Sequence, residues 1–288
     1  PLMPTRLAPA KINLTLHVTG QRQDGYHDLD SLVVFAAIGD EVTLDPAGSG
    51  GFQVTGPRAA GVPTDASNLV TRAARAMGAA DAALRLVKHL PAAAGMGGGS
   101  SDAAAALRLL AEDRALSLPT TEALMALGAD LPVCMAAPAP ARMRGRGDRV
   151  TPVAPLPPLG LLIVNPGLPL STPAVFAALQ VRQNPPMPDP LPHWSDARQF
   201  CDWLRTMRND LEAPARLLLP RIGHLLEVIA AAPGCLLARM TGSGATCFGL
   251  FDDPVLLAAA AHQLEAPGRF VAATQLLTAS DQLTRATT

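Results

Sequence analysis

Residues 95–102 constrain the fold most, because their glycines and serines run directly into a helical pattern. They read Gly-Met-Gly-Gly-Gly-Ser-Ser-Asp, and the Ala- and Leu-rich residues 103–111 that follow predict a helix. Glycines let a backbone approach a ligand closely, and a helix N-terminus offers free N–H groups at the positive end of its dipole. We therefore predict an anion cradle, with Ser100 and Ser101 capping the helix or bonding a phosphate. The alternative is an ordinary capped helix after a flexible loop.

The cradle differs from two common nucleotide-binding loops. No Gly-Lys-Ser/Thr ends it, so it is not a Walker A loop. It also departs from the dinucleotide fingerprint, because the third glycine is replaced and no acidic residue follows a second strand at the right distance. These departures argue against a Rossmann-type oxidoreductase.

Strand and helix patterns alternate along the rest of the chain, with short connections typical of antiparallel hairpins. This interleaving indicates the α+β class. Prolines are dense over residues 152–158, so we predict a domain boundary there, with domains 1–153 and 154–288. Strands are expected over 6–19, 32–37, 41–44, 52–55, 83–89, within 142–153, and over 159–164, 236–240, 246–251 and 269–276. Helices are expected over 68–77, 103–111, 121–127, 197–204, 217–232 and 254–264.

The composition narrows the class of protein. Hydrophobic residues make up 49% and charged residues 16% of the chain, which excludes a disordered chain. No apolar run reaches the length of a membrane span, and the first residues do not resemble a secretion signal. A net charge of -1 argues against nucleic-acid binding. Four widely spaced cysteines read as free thiols in a reducing compartment, so we expect a soluble cytoplasmic globular protein.

Lysine is rare in this sequence. Of 23 basic residues only Lys11 and Lys88 are lysines, which leaves 21 arginines, and Tyr26 is the one tyrosine. A lysine kept in such a background suits a position that needs a compact, titratable charge in place of a guanidinium fork. Chance survival explains the two lysines equally well unless they fall inside other motifs.

Three segments together resemble the GHMP kinase superfamily of small-molecule ATP-dependent kinases, over nearly the whole chain. They are residues 8–14 (Ala-Pro-Ala-Lys-Ile-Asn-Leu), the loop at 91–101, and residues 241–245 (Thr-Gly-Ser-Gly-Ala), which alone would indicate only a hairpin turn. Met96 replaces a usual leucine, and 92–94 are alanines where glycines are often found. Both departures concern the rigidity of the loop and leave its N–H donors in place.

The resemblance implies a two-domain GHMP kinase fold with the active site in the cleft between the domains. ATP would lie along the loop, with Lys88 and Asn68 near the adenine, and Mg²⁺ would bridge the β- and γ-phosphates with Ser100 as a candidate contact. For Lys88 the alternative is a lysine at the end of a strand. The loop residues so implied are Pro91, Ala92, Ala93, Ala94, Gly95, Met96, Gly97, Gly98, Gly99, Ser100 and Ser101.

Residues 20–27 (Gly-Gln-Arg-Gln-Asp-Gly-Tyr-His) and 127–133 (Leu-Gly-Ala-Asp-Leu-Pro-Val) resemble one branch of the superfamily. That branch phosphorylates the 2-hydroxyl of 4-diphosphocytidyl-2-C-methyl-D-erythritol in the non-mevalonate isoprenoid pathway. The expected partner is therefore a small molecule with a cytidine diphosphate group, and we expect no nucleic-acid or membrane partner. The expected oligomeric state is a monomer or a weak homodimer.

The same resemblance assigns the chemistry to Asp130 and Lys11. A neighbouring cation stabilises an ionised carboxylate and can polarise the attacking hydroxyl. Without the resemblance, Asp130 would be read as an aspartate in a turn at the end of a helix and Lys11 as a solvent-facing lysine on a strand edge.

The substrate would contact residues from both predicted domains. Phe176 is equally compatible with plain core packing, and His27 with a solvated loop. Rival functions are another GHMP kinase, acting on homoserine, a mevalonate derivative or a sugar, and a catalytically inactive nucleotide-binding module. The predicted substrate residues are Asn13, Tyr26, His27, Phe176, Thr241, Gly242, Ser243 and Gly244.

Overall fold

The structure, a computed structural model, describes residues 3–48, 50–281 and 283–287. The elements of its first half are β1 (Met3–Asn13), β2 (His17–Gln21), β3 (His27–Asp45), β4 (Gly51–Thr55), α1 (Leu69–Ala76), β5 (Ala83–Val87), α2 (Gly98–Arg114), α3 (Thr121–Leu127), α4 (Leu131–Cys134), β6 (Ala141–Gly145) and β7 (Arg149–Pro152). Those of its second half are β8 (Gly160–Asn165), α5 (Thr172–Ala177), α6 (Ala197–Thr206), α7 (Glu212–Leu218), α8 (Arg221–Ala231), β9 (Cys235–Met240), β10 (Cys247–Phe251), α9 (Pro254–Leu264), β11 (Phe270–Gln275) and β12 (Thr284–Thr287).

Within the described residues the strands form two sheets. An eight-stranded sheet follows the path β12-β1-β3-β5-β4. Off this path, β3 also pairs with β2 and with β6, and β6 pairs with β7. Its pairs are antiparallel except for β4 and β5. The second sheet has the order β11-β8-β10-β9 and is antiparallel throughout. This mixture of antiparallel sheets and helices confirms the predicted α+β class.

Apolar side chains join the two sheets to each other and to the helices. One buried cluster links Ile12 and Val34 of the first sheet to Ile163 and Phe248 of the second. A second cluster packs α8 and α9 against the second sheet, and a third packs α1 and α2 against the first. Burial of this apolar surface is the main force that holds the layers together.

Two predictions are wrong about where strands are continuous. The strand expected over residues 6–19 is broken between β1 and β2, because the Thr15 hydroxyl there accepts the N–H of Leu32 in place of a backbone partner. The strands expected at 32–37 and 41–44 are parts of the single 19-residue strand β3, which pairs with β1 across a bulge between Pro9 and Lys11. A bulge lets a long strand bend without ending.

The helix after the glycine run begins earlier than predicted. It starts at Gly98 and not at residue 103, because Gly97 in the left-handed conformation (φ +62°) ends the loop and the next residues are already helical. Ser100 and Ser101 therefore lie in the first turns, and their predicted capping role is wrong, since the cap residue is Gly97 and no side chain caps the helix. The glycines and serines of the cradle are thus part of the helix N-terminus itself.

The second half also differs from the predicted pattern at two places. The helix expected over 217–232 is two helices, α7 and α8, separated at Leu219 and Pro220, because proline lacks the N–H that a continuous helix would need. The predicted boundary at 153/154 falls in the irregular segment 153–159 between the two sheets, and β12 later returns to pair with β1. None of the helices in the described ranges has the length and apolar character to cross a bilayer.

Candidate active site

The loop at residues 91–97 has a backbone shape suited to anions. Ala93, Gly95 and Gly97 all have positive φ, of +50°, +75° and +62°. Alternating left-handed residues turn successive N–H groups toward one side, and the first N–H groups of α2 have no acceptor within the helix. The loop and the helix start therefore form one concave surface of N–H donors.

Not every residue predicted along the loop presents its side chain to this surface. Met96 is 1% exposed and packs into the core between the sheets. The Ser101 hydroxyl is buried and donates to the sulfur of Cys134 at 3.5 Å, whereas Ser100 lines the open side. A phosphate contact from a side chain is therefore available from Ser100 and not from Ser101.

The second glycine turn packs directly on the loop. It joins β9 to β10, and a Cβ atom at Gly95 would lie 2.6 Å from the carbonyl oxygen of Gly244. Thr246 donates its hydroxyl to the Ala94 carbonyl at 2.5 Å, and Thr241 accepts the N–H of Asn13 at 2.9 Å. The turn is thus a hairpin that also supports the loop from the side of the second sheet.

Asn209 holds the same turn from behind, and no sequence signal pointed to it. Its Nδ2 donates to the carbonyl oxygens of Met240 at 2.8 Å and Gly242 at 2.9 Å. A side-chain amide that bonds two carbonyls of one turn restricts its conformation. Its role becomes visible only in the tertiary structure, because it depends on which segments lie next to the turn between β9 and β10.

Lys11 and Asp130 form an ion pair at the floor of the cleft. The lysine Nζ donates to Asp130 Oδ2 at 2.9 Å, and the pair joins β1 to the start of α4. Lys11 is buried, whereas 38% of the Asp130 side chain is exposed. A Cβ at Gly97 would come within 3.2 Å of the Lys11 side chain, so the ion pair lies against the loop. The predicted pairing of these residues is confirmed.

His27 and Phe176 meet although 149 positions of the numbering separate them. Their rings are stacked with centroids 4.9 Å apart. The Nε2 atom of His27 is buried and has no hydrogen-bond partner among the described residues. Burial, with a smaller contribution from Arg182, lowers the pKa of this imidazole below its ordinary value, which favours the uncharged ring stacked on Phe176.

Asn13 presents a second unpartnered atom. Its Nδ2 donates to the hydroxyl of Ser31 at 2.8 Å, while its Oδ1 is buried and accepts no hydrogen bond from the residues that the structure describes. An unpaired polar atom in a buried position is costly, and a bound ligand can relieve that cost. Asn13 lines the cleft, so its Oδ1 is an acceptor that a ligand there can use, whereas His27 lies behind the ring of Phe176 and does not line the cleft.

Three of the predicted site residues that do not line the cleft make other contacts. Tyr26 is 59% exposed and does not line the cleft, with the guanidinium of Arg146 over its ring at 5.6 Å. Asn68 caps α1 by accepting the N–H of Val70, and its amide donates to the carbonyl of Pro63. Lys88 is buried and paired with two aspartates, so its amine does not face the cleft. Their predicted ligand contacts have no support from these positions.

Thirteen of the predicted site residues line one cleft of about 560 Å³. Among the described residues that line it, Lys11 and Asp130 are the charged ones. The segment 170–173 was missed by the sequence reading, although Ser171 followed by Pro173 is a typical helix start and does begin α5. The predicted residues that line the cleft are Lys11, Asn13, Ala93, Ala94, Gly95, Gly97, Gly98, Gly99, Ser100, Asp130, Phe176, Gly242 and Ser243.

A cradle of N–H donors opposite a lysine–carboxylate pair defines a phosphotransferase site for a small molecule. Residues 68–139 match the GHMP kinases N terminal domain, and residues 193–269 match the GHMP kinases C terminal domain. The chain therefore belongs to the GHMP kinase family, in its 4-diphosphocytidyl-2-C-methyl-D-erythritol kinase branch, and is an ATP-dependent kinase.

The branch is shown by curated relatives and by a solved structure. The chain is 58% identical to the 4-diphosphocytidyl-2-C-methyl-D-erythritol kinase of Dinoroseobacter shibae, over 93% of each chain. It is 54% identical to that of Cereibacter sphaeroides, over 93% of this chain and 98% of the relative. A crystal structure of 4-(cytidine 5'-diphospho)-2C-methyl-D-erythritol kinase superposes with a TM-score of 0.77 at 33% identity, over 95% of this chain and 99% of that one.

More distant GHMP kinases share the fold alone. The crystal structure of homoserine kinase from Cytophaga hutchinsonii superposes with a TM-score of 0.64 at 15% identity, over 99% of this chain and 97% of that one. At such low identity the likeness describes the path of the backbone and not the substrate.

Proposed function

We propose that this kinase transfers the γ-phosphate of ATP to the 2-hydroxyl of 4-diphosphocytidyl-2-C-methyl-D-erythritol. The observation that carries the proposal is the single cleft in which the N–H cradle, the Lys11–Asp130 pair and Phe176 meet. The curated relatives with this name, at up to 58% identity, support the same substrate. Phosphoryl transfer needs mainly positioning and charge stabilisation, and these three features supply both.

ATP would bind with its phosphates along the loop and the N-terminus of α2. Described residues include no cluster of three or more His, Cys, Asp or Glu able to hold a metal. Mg²⁺ needs few protein ligands when nucleotide phosphates carry it, and the Ser100 hydroxyl beside the loop is the candidate protein contact. When bound, the ion neutralises charge on the β- and γ-phosphates.

Asp130 is the candidate group for the attacking hydroxyl. Its exposed carboxylate faces the cleft, and Lys11 holds one of its oxygens from the buried side. A carboxylate fixed in this way would accept a hydrogen bond from the 2-hydroxyl and orient it. It would take the proton as the 2-oxygen bonds to the γ-phosphorus of ATP and the bond from that phosphorus to the oxygen of ADP breaks, which releases ADP. Lys11 positions the carboxylate and offers a positive charge at the reacting oxygens.

The cytosine end of the substrate would meet Phe176 and Asn13. Aromatic rings stack on nucleobases, and Phe176 lines the cleft with His27 stacked against it. The unpartnered Oδ1 of Asn13 would accept a hydrogen bond from the amino group of the cytosine. This arrangement also distinguishes the site from one for homoserine, mevalonate derivatives or simple sugars, which have no aromatic base.

The test is ADP release with ATP, Mg²⁺ and 4-diphosphocytidyl-2-C-methyl-D-erythritol, compared with homoserine, mevalonate and galactose as acceptors. We expect turnover with the first acceptor alone. Turnover with one of the others would move the chain to a sister activity. Binding of ATP without turnover on any of the four acceptors would instead favour an inactive nucleotide-binding module.

Replacing Phe176 with alanine is expected to raise the KM for the cytidine-containing acceptor by about 10-fold, because base–aromatic stacking contributes roughly 1–3 kcal/mol. The KM for ATP should stay within about twofold. Phe176→Leu is the matched control, since leucine keeps apolar packing of α5 against its neighbours without offering a ring. An equal rise of both KM values in Phe176→Ala would contradict a role at the base.

We also propose that the protein works in the cytoplasm as a monomer or weak homodimer. Its four cysteines are all free, and Cys134, Cys201 and Cys247 are buried, as expected in a reducing compartment. Sedimentation at micromolar concentration would test the oligomeric state, and a stable larger assembly would contradict it.

A further inference from the structure

Three charged side chains form a buried cluster behind the phosphate loop. They are Asp40 of β3, Lys88 just after β5, and Asp102 of α2, and each is at most 3% exposed. The Lys88 amine donates to Asp40 Oδ2 and, at 2.9 Å, to Asp102 Oδ2. Buried ion pairs are costly to desolvate and add little net stability, so such a cluster is better explained by the geometry it imposes than by stability.

The cluster contacts the chain on both sides of the loop. On the side where the loop starts, Asp40 Oδ1 accepts the N–H groups of His89 at 2.6 Å and Leu90 at 2.9 Å. On the side where it ends, Asp102 belongs to α2, four residues after Gly98. A Cβ at Gly98 would lie 3.6 Å from the Lys88 amine, so the cluster lies directly beneath the helix N-terminus.

We propose that Asp40, Lys88 and Asp102 are positioning residues for ATP, which hold the two ends of the loop at a constant spacing so that the N–H cradle is formed before the nucleotide binds. The inference rests on the proposed ATP site at residues 91–101. Donors that are already oriented need no rearrangement when the charged phosphates arrive, which strengthens binding. Lys88 then acts through the loop backbone and not by contact with the adenine.

The charge of the cluster is compatible with an anion site above it. Burial raises the pKa of Asp102 well above its ordinary value, and although Lys88 opposes that rise, the Asp40 carboxylate adds to it. Asp102 therefore holds a proton more readily than an ordinary aspartate does, which reduces the negative charge that the cluster presents to a phosphate. The second Asp102 oxygen, Oδ1, is buried and has no hydrogen-bond partner among the described residues, so no donor there stabilises a negative charge on it.

The test uses two replacements of Asp102 and measures ATP–Mg²⁺ affinity by calorimetry without acceptor. Asp102→Ala removes the link between Lys88 and α2 but leaves the Lys88–Asp40 pair, and we expect the Kd for ATP to rise about 10-fold, as for loss of a hydrogen bond to a charged group. Asp102→Asn keeps an oxygen that accepts from Lys88 and should recover most of that affinity. Binding of 4-diphosphocytidyl-2-C-methyl-D-erythritol should be unchanged in both variants.

A double-mutant cycle with Lys88→Met separates positioning from direct contact. If Lys88 acts through Asp102, the double variant should bind ATP no more weakly than Lys88→Met alone. Additive losses, or an Asp102→Ala variant with wild-type ATP affinity, would overturn the proposal. If circular dichroism shows that Lys88→Met does not fold, the comparison of Asp102→Ala with Asp102→Asn tests the proposal by itself. Because the readout is ATP affinity, a wrong acceptor assignment leaves this test intact.

Discussion

Replacing Asp130 with asparagine is expected to lower kcat by about 10³-fold, because the amide cannot take the proton of the attacking hydroxyl. The size and shape of the side chain are retained, and the amide oxygen can still accept from Lys11. The Kd for ATP should therefore stay within about threefold of wild type, since the loop is untouched. Single-turnover ADP formation together with ATP calorimetry measures both quantities.

Asp148→Asn is the matched control for that experiment, because Asp148 lies in the turn between β6 and β7 and does not line the cleft. It should keep wild-type kcat. An Asp130→Asn enzyme that retains most of its turnover would remove Asp130 from the chemistry and leave a kinase without an essential base. Loss of ATP binding in the same variant would instead indicate damage to the fold of the cleft.

Replacing Gly95 with alanine is expected to abolish measurable ATP binding, with a rise in Kd of more than about 100-fold. Gly95 has φ +75°, and a Cβ there would lie 2.6 Å from the Gly244 carbonyl oxygen and 3.0 Å from that of Thr241. Backbone atoms cannot move aside cheaply, so the two glycine turns must separate. We expect the free energy of unfolding to fall by about 3 kcal/mol from strain and clash combined.

Gly78→Ala isolates the conformational part of this effect. Gly78 follows α1 with φ +71° and has open space around its hydrogen atoms, so alanine there brings strain without a clash. Its free energy of unfolding should fall by about 1 kcal/mol, and ATP should bind normally. Urea unfolding of both variants compares them directly. Equal losses in the free energy of unfolding would mean that the clash of the added Cβ with the Gly244 and Thr241 carbonyls costs nothing.

Local signals predicted several elements correctly. The helices expected over 121–127 and 254–264 have those bounds as α3 and α9, since capping residues and apolar spacing act within a few residues of the chain. The pairing of Lys11 with Asp130 was also predicted, but from the resemblance of the segments to a family. Composition contributed the rarity of lysine, which drew attention to a residue that does form part of the cleft.

Local patterns say least where a distant segment decides the outcome. Lys88 was predicted to lie near the adenine, and the structure pairs it with Asp40 and Asp102, which no local pattern connects to it. Asn68 was expected to contact the nucleotide, whereas its amide is used by the backbone around it. Similarly, β3 is continuous because β1 pairs along it, although its sequence looks like two short strands.

By itself, the sequence determined the α+β class, the anion cradle and the types of residue available for catalysis, because backbone freedom, capping and side-chain chemistry are properties of short segments. Only the tertiary structure decided which of them share a cleft. It stacks His27 on Phe176, packs Gly95 against Gly244, and directs Lys88 away from the cleft toward two buried carboxylates. The physical reason is that these contacts depend on how the two sheets pack, and packing couples residues that lie far apart along the chain.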